Sequence, residues 1–231
     1  MTTTVDGKFC DPLLLILQEV KRVFPPKVMM NLQKILHHNL LLKCSKSRKT
    51  TKEITGEYLT KIKECIGNYN IILLLDRWSS QTDFDLCFSK LRCNVQPVYL
   101  PAETTPYLQP LDVYFFNDYK YFVKKLTEYS QTHSNICQSV DVTIREGIIQ
   151  MHNLAFNQFC SPAFNEMRRY AFQKSLFRNM DPVFRSVKQV CFNVSNKMCT
   201  SCDKFAFIVC AWCWKEFCFT HFYIEKHYHD T

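Results

Sequence analysis

Asn70-Ile-Ile-Leu-Leu-Leu-Asp76 is the stretch on which the fold turns, and Gln109-Pro-Leu-Asp112 answers it thirty-six positions on. Ile71 to Leu75 is a continuous apolar run, too short to cross a membrane and suited to a strand buried on both faces. A carboxylate ending such a strand stands at the rim of a parallel sheet, where α/β folds place their chemistry. Asp112 follows a second strand candidate, Val95 to Leu100, and a proline-punctuated loop, and it opens a long helical pattern. Two acids converging at one sheet edge offer hard oxygen ligands to Mg²⁺, the arrangement that clamps the attacking and leaving oxygens of a phosphoryl transfer. The same residues have a plainer reading: an Asp after an apolar strand is common, and an Asp before a helix is usually a cap.

Composition sets the outer bounds. The chain has 231 residues, 47% hydrophobic and 22% charged, which is the balance of a folded protein. Its net charge of +8 favours polyanionic partners such as nucleic acid. With only four glycines there is no glycine-rich loop to cradle a phosphate, so nucleotide-binding readings fall away. No run approaches the roughly 20 apolar residues of a membrane helix, and no basic flank precedes Leu13 to Leu17 as a secretory signal would require. Thirteen cysteines are an odd count with uneven spacing, and five of them crowd into residues 199–218. That pattern points to metal in a reducing compartment rather than to disulfides.

Taken in order, Thr2 to Val5, the turn Asp6-Gly7 and Pro12 to Gln18 read as a hairpin. The chain starts almost inside its first strand, so a segment upstream is expected. A short helix over 27–37 and a strand over Leu40 to Cys44 follow, then a solvated basic loop from Ser45 to Lys52. Thr50-Thr-Lys-Glu53 has the spacing of a capping box for a helix that carries Ile54, Tyr58, Ile62 and Cys65 on one side, and Gly67-Asn68 ends it. Helices are further expected over Asp83 to Leu91, Val113 to Tyr129, Thr143 to Phe156 and Pro162 to Phe177. Tyr119-Lys-Tyr-Phe-Val-Lys-Lys125 and Arg168-Arg-Tyr170 interleave bases with aromatics and could track a nucleic-acid backbone. An amphipathic helix with a solvated basic face and an aromatic core face explains them more simply.

The C-terminus carries Cys199-x2-Cys202, Cys210-x2-Cys213, Cys218-x2-His221 and His227-x-His229, eight ligands within thirty-one residues. Four such pairs fill two tetrahedral Zn²⁺ sites with protein atoms alone, so the ions would be structural. Pairing is open to two schemes. One is interleaved, with Cys199 and Cys202 joining Cys218 and His221 while Cys210 and Cys213 join His227 and His229; the other is sequential. Phe205, Phe207, Trp212, Trp214, Phe217 and Phe219 would be buried around the ions.

With both carboxylates and the cysteine cluster in view, the chain resembles the mariner/pogo-type transposases with a DDE superfamily endonuclease domain. Leu73-Leu-Leu-Asp76-Arg-Trp-Ser-Ser is similar to the strand bearing that family's second acid. Leu100-Pro-Ala-Glu-Thr-Thr-Pro-Tyr-Leu-Gln-Pro-Leu-Asp112 is similar to the segment bearing its third. Gln81 stands where many members have histidine, and Arg77 adds a cation beside the acid. The cysteine cluster resembles zinc knuckles carried by some members.

The resemblance implies an α/β, ribonuclease-H-like mixed sheet flanked by helices, followed by a helical segment and a small zinc module. The implied divisions are residues 1–130, 131–190 and 191–231. It implies Mg²⁺ or Mn²⁺ at Asp76 and Asp112, DNA as partner, DNA cleavage and integration as ancestral chemistry, and a nuclear location. A homodimer and chromatin proteins are left open as partners. The strand bearing the first acid and the region that recognises transposon ends are expected upstream; Asp6 is a poor substitute because it sits in a turn. This chain alone is therefore expected to be inactive. The competing readings are a non-catalytic DNA- or chromatin-binding protein and a zinc-dependent protein-interaction module.

Overall fold

The leucine-rich runs of the first half become strands that pair in parallel, and the amphipathic pattern over residues 52–66 becomes the helix packed against them. In the computed structural model, residues 1–10, 12–67, 69–77, 95–133, 141–177, 179 and 183–230 are described. They divide into two units, one of residues 1–4 and 9–113, the other of residues 5–8 and 114–231.

In the first unit, β1 (Thr2–Thr3) pairs antiparallel with β2 (Phe9–Cys10), and β3 (Leu13–Gln18) pairs parallel with β4 (Leu40–Ser45). The expected hairpin is thus corrected. The strand returning from Asp6-Gly7 closes through Phe9 and Cys10, whereas Leu13–Gln18 spends its backbone groups on β4. Helix α1 (Pro26–Gln33) links β3 to β4, starting at a proline whose missing N–H costs nothing in a first turn. Helix α2 (Lys52–Ile66) is capped by Thr51, whose hydroxyl accepts from Ile54 N, one residue later than the box spacing suggested. It ends at Gly67, whose φ of +68° needs a residue without a Cβ. β5 (Ile71–Leu75) and β6 (Val95–Tyr99) form a second parallel pair, extended by Leu100 N–H donating to Leu75 O. The helix expected over Asp83 to Leu91 lies outside the described residues.

Helix α2 is what joins the two parallel pairs. Its Tyr58, Leu59 and Ile62 form one core with Cys10 and Leu75, against which Leu14 and Leu41 of one pair and Leu73, Val95 and Tyr99 of the other are packed. β5 is not buried on both faces as its composition suggested: Ile72 is 67% exposed. Among the described residues the strands form four separate two-stranded pairs, two parallel and two antiparallel, in a mixed α/β chain.

A four-residue helix, α3 (Thr105–Leu108), and a π-helical turn (Leu111–Phe115) lead into α4 (Phe116–Thr132), whose Tyr119, Phe122 and Leu126 form its buried stripe. Helix α5 (Arg145–Cys160) is the centre of the second unit. From Ile149 to Phe159 most of its residues are buried, amides as well as hydrocarbons. A 3-10 turn (Pro162–Phe164), α6 (Asn165–Lys174) and α7 (Val187–Cys191) follow. The basic–aromatic segments therefore serve the core, since Tyr119, Phe122 and Arg168 are all buried. Among the described residues no helix is long and apolar enough to cross a membrane.

Arg168 is 2% exposed, and its guanidinium donates to the carbonyls of Gly7 and Phe159 and to Asn165 Oδ1. Gly7 is required at that contact: its φ is +84°, and a Cβ would come within 2.6 Å of Asn165 O. Replacing Arg168 by Met strands three acceptors. The expected cost is about 3 kcal/mol, a fall in Tm on the order of 10 °C by thermal circular dichroism. Lys124→Ala, which removes an exposed pair with Glu128, is expected to cost well under about 1 kcal/mol.

Candidate metal centres and acid pair

The cysteine-rich segment folds as a hairpin with ligands on both sides of it. β7 (Ile208–Val209) pairs antiparallel with β8 (Glu216–Phe217), and a π-helical turn (Thr220–Ile224) follows. Cys199 and Cys202 precede the hairpin, Cys210 and Cys213 lie in its loop, Cys218 and His221 come after it, and His227 and His229 lie nearer the end of the chain. Because the strands run antiparallel, the residues flanking the hairpin meet at its open end. The loop pair is left to meet the two histidines.

Two clusters result, and the pairing is the interleaved one. Cys199, Cys202, Cys218 and His221 form the first; Cys210, Cys213, His227 and His229 form the second; in each, the ligand atoms lie within 4.8 Å of one another. The spacings test whether a metal fits. In the first cluster one atom, His221 Nδ1, lies 3.3, 3.5 and 3.2 Å from the sulfurs of Cys199, Cys202 and Cys218. A single ring nitrogen cannot hydrogen-bond three sulfurs at once, but it can share a cation with them. The Cys202–Cys218 sulfur separation is 3.8 Å. A tetrahedron with Zn–S bonds of about 2.3 Å has edges of about 3.8 Å, so the match is direct. In the second cluster Cys210 is 3.3 Å from His229 Nε2, Cys213 is 3.6 Å from His227 Nε2, and the two nitrogens are 3.0 Å apart. Five thiols and three imidazoles are the soft and borderline donors that zinc prefers.

In the first cluster Cys199 and Cys202 are driven apart in acidity: the Lys204 N–H lowers the Cys202 thiol, but burial and the Cys199 and Cys218 sulfurs raise it overall. Burial pushes the Cys199 thiol up, but N–H groups of Cys218 and Ser201, with His221 and Cys202, bring it down to about 6. His221 also turns its Nε2 toward Glu225, 3.5 Å away, an outer carboxylate of the kind that orients a ligating imidazole. Burial, followed by its neighbours' charges, holds His227 below the ordinary imidazole value, in the neutral form that ligates.

The module leans on aromatic rings, though not all those expected. Phe207, Phe217 and Phe219 are buried, with Phe207 and Phe219 packed against Tyr129 of α4, whereas Phe205 is 72% and Trp214 46% exposed. Trp214 lies under the Arg185 guanidinium, 5.0 Å from its ring centre.

Asp76 and Asp112 belong to the first unit. Asp76 follows β5, half-buried, and its Oδ1 accepts from Arg77 N at 2.7 Å and from Thr105 Oγ1 at 3.0 Å. Thr105 lies in the Leu100–Asp112 segment, so the two acid-bearing segments meet at the Asp76 carboxylate. Asp112 is exposed in the first turn after Gln109, whose carbonyl accepts its N–H. Among the described residues neither acid belongs to a group of three or more metal-ligating side chains. Gln81 lies outside those residues, and Asp6 is exposed in its turn beside Lys8, 3.5 Å away. Thr105 is the site residue that sequence reasoning passed over; its place in the Glu-Thr-Thr-Pro stretch was the available signal.

A family model described as DDE superfamily endonuclease matches residues 21–215. The match takes in Asp76, Asp112 and the first four cysteine ligands and stops short of Cys218, His221, His227 and His229. No curated protein and no solved structure matches the chain.

Proposed function

The chain belongs to the DDE superfamily endonucleases, and from that premise we propose that it is a transposase-derived, nucleic-acid-binding protein of mariner/pogo type with a ribonuclease-H-like ancestry. Asp76 and Asp112 are the retained acids, and their ancestral work was to hold Mg²⁺ or Mn²⁺ for DNA cleavage and strand transfer. The observation that carries this reading is the hydrogen bond from Thr105 to Asp76, which brings the third-acid segment to the strand-ending second acid. Such a divalent pair would activate the attacking oxygen and stabilise the leaving one.

The nucleic-acid surface in this reading is the loops that follow β3 and β4. Lys21, Arg22, Lys46, Arg48 and Lys49 are exposed there, and Lys52 opens α2 beside them. Contacts within the loops hold them together: Arg22 N–H donates to Glu19 O, Glu19 N–H to Ser45 O, and Arg48 Nε to Gln18 Oε1 at 2.9 Å. A crown of cations with ordered backbone suits sequence-independent phosphate contact. Nuclear residence follows from a DNA partner, and chromatin proteins or a second copy fit the same reading.

The Cys/His clusters are proposed to hold two structural Zn²⁺, because each offers four protein donors and so no open position for substrate. A non-catalytic binding protein is the second reading, favoured because neither Asp76 nor Asp112 belongs to a group of three or more metal-ligating side chains among the described residues. The exposed Phe205 and Trp214 give a zinc-dependent protein contact some surface to use.

Three measurements check this. Elemental analysis is expected to find about two zinc per chain, and stripping them with a chelator should abolish the near-ultraviolet dichroism of the module's aromatics; a metal-free protein with unchanged spectra would end the zinc reading. Binding to duplex DNA should weaken steeply with salt, and the triple variant Lys46→Ala, Arg48→Ala, Lys49→Ala should lower the slope of log K against log salt by about 2 to 3. Residues 1–231 alone should neither nick nor join DNA in Mg²⁺ or Mn²⁺, because a metal pair short of a ligand loses the fixed in-line geometry on which transfer depends. Cleavage that vanishes in Asp76→Ala and Asp112→Ala would overturn the inactivity.

A further inference from the structure

Resting on the zinc reading, we infer that the two metal centres are built differently: α5 positions the second by bonding its ligands directly, through Gln158 and Asn157, whereas the ligands of the first are held within the module's own segment. Gln158 is fully buried. Its Oε1 accepts from Ala211 N at 2.8 Å, and its Nε2 donates to Cys210 Sγ at 3.5 Å. One amide thereby fixes the backbone after a ligand and places a donor on the ligand's sulfur. Asn157, also fully buried, clamps His229 from both sides: Nδ2 donates to His229 O at 2.7 Å, and Oδ1 accepts from His229 N at 3.2 Å. The Asn157 carbonyl takes the Trp212 indole N–H at 2.7 Å, and Trp212 stacks on the His229 ring at 18°. Ser161 Oγ completes the set by donating to Ala211 O at 2.7 Å. Every one of these hydrogen bonds comes from residues 157–161 and falls on Cys210, His229 or the two residues after Cys210.

The first centre takes less from the helix: α5 reaches Tyr223, two residues beyond His221, through Gln150 and the Gly147 carbonyl, but among the described residues it bonds to none of the four ligands themselves. Among the described residues, its four ligands take hydrogen bonds and ion pairs from their own segment: Ser201 N donates to Cys199 Sγ at 3.5 Å, and Glu225 stands by His221. Phe207 and Phe219 pack the module on Tyr129, but neither is a ligand. A metal in the second centre therefore binds a geometry that the helical core has already fixed, whereas a metal in the first must order its own loop. Groups that orient metal ligands typically contribute 10- to 100-fold in affinity.

The test uses the full chain loaded with Co²⁺, whose sulfur-to-metal charge-transfer band is stronger for a three-thiolate centre than for a two-thiolate one. Gln158→Met keeps the side chain's volume and removes both of its hydrogen bonds. It is expected to weaken one of the two cobalt ions by about 10- to 100-fold, and the tightly held ion left behind should show the three-thiolate spectrum. Gln150→Met is the control on the same helix: its Nε2 donates to Tyr223 O at 2.6 Å and touches no ligand, so both ions should stay. If Gln158→Met does not fold, Trp212→Phe removes the indole bond to Asn157 and keeps the ring on His229, with a smaller loss at the same centre. Equal weakening of both ions, loss of the three-thiolate ion first, or unchanged binding of both would overturn the inference. Failure of the unsubstituted chain to bind two ions would instead overturn the zinc reading on which it rests.

Discussion

A helix that buries amide side chains has to find partners for them, and α5 finds partners for Asn157 and Gln158 in the cysteine-rich segment. Asn157, Gln158 and Ser161 are at most 1% exposed. Each buried amide left unsatisfied costs roughly 1–3 kcal/mol, so the second unit is stable only when the backbone of Ala211 and His229 stands in place to pair with them. Those backbone groups belong to a segment with two-residue strands, which cannot hold itself rigid. Fixing four ligands around an ion removes that freedom. Helix and metal segment are thus one folding problem, with amide satisfaction on one side and ligand geometry on the other.

The first unit meets a related difficulty by other means. A two-stranded parallel pair is marginal in water. Here two of them lie under α2, whose Tyr58, Leu59 and Ile62 reach side chains of both. The consequence for the site is direct. Asp76 follows β5 immediately, so its position is inherited from the register Leu75↔Tyr99 and the further bond from Leu100 to Leu75. Thr105 reaches it because the segment after β6 turns back at Pro101, whose carbonyl accepts both Thr104 N and Thr104 Oγ1. The carboxylate is held by hydrogen bonds from Arg77 N and Thr105 Oγ1.

How much of this was legible depends on the range over which the physics acts. Apolar runs declare strands, so β4, β5 and β6 stand close to where the leucines and valines put them. Thr51 and Gly67 punctuate α2 through contacts spanning three or four residues. Ligand pairs two residues apart are equally local. Depth is not local. Arg168 and Tyr119 have the residue types of a nucleic-acid surface, yet they lie inside because the elements around them close over them. Ile72 has the type of a core residue and lies 67% exposed. The choice of β4 rather than β1 as partner for Leu13–Gln18 is likewise a tertiary decision, invisible to a turn signal at Asp6-Gly7.

The interleaving of the metal ligands constrains how the module relates to the rest of the family. The matched span ends at residue 215, and each centre straddles that point: Cys199 and Cys202 need Cys218 and His221, and Cys210 and Cys213 need His227 and His229. Sequential pairing would have let the first four cysteines close one centre within the matched span. Interleaved pairing forbids it, because neither centre has more than two ligands before residue 216. Closing Cys202 to Cys218 brings ends 16 residues apart together, and Cys213 to His227 closes 14, modest loops whose entropy a bound ion offsets. The two loops overlap, so ordering one shortens the search of the other. Asn157 of the helical core takes both of its amide partners from His229, beyond the matched span, so the C-terminal segment is part of the fold rather than an appendage to it.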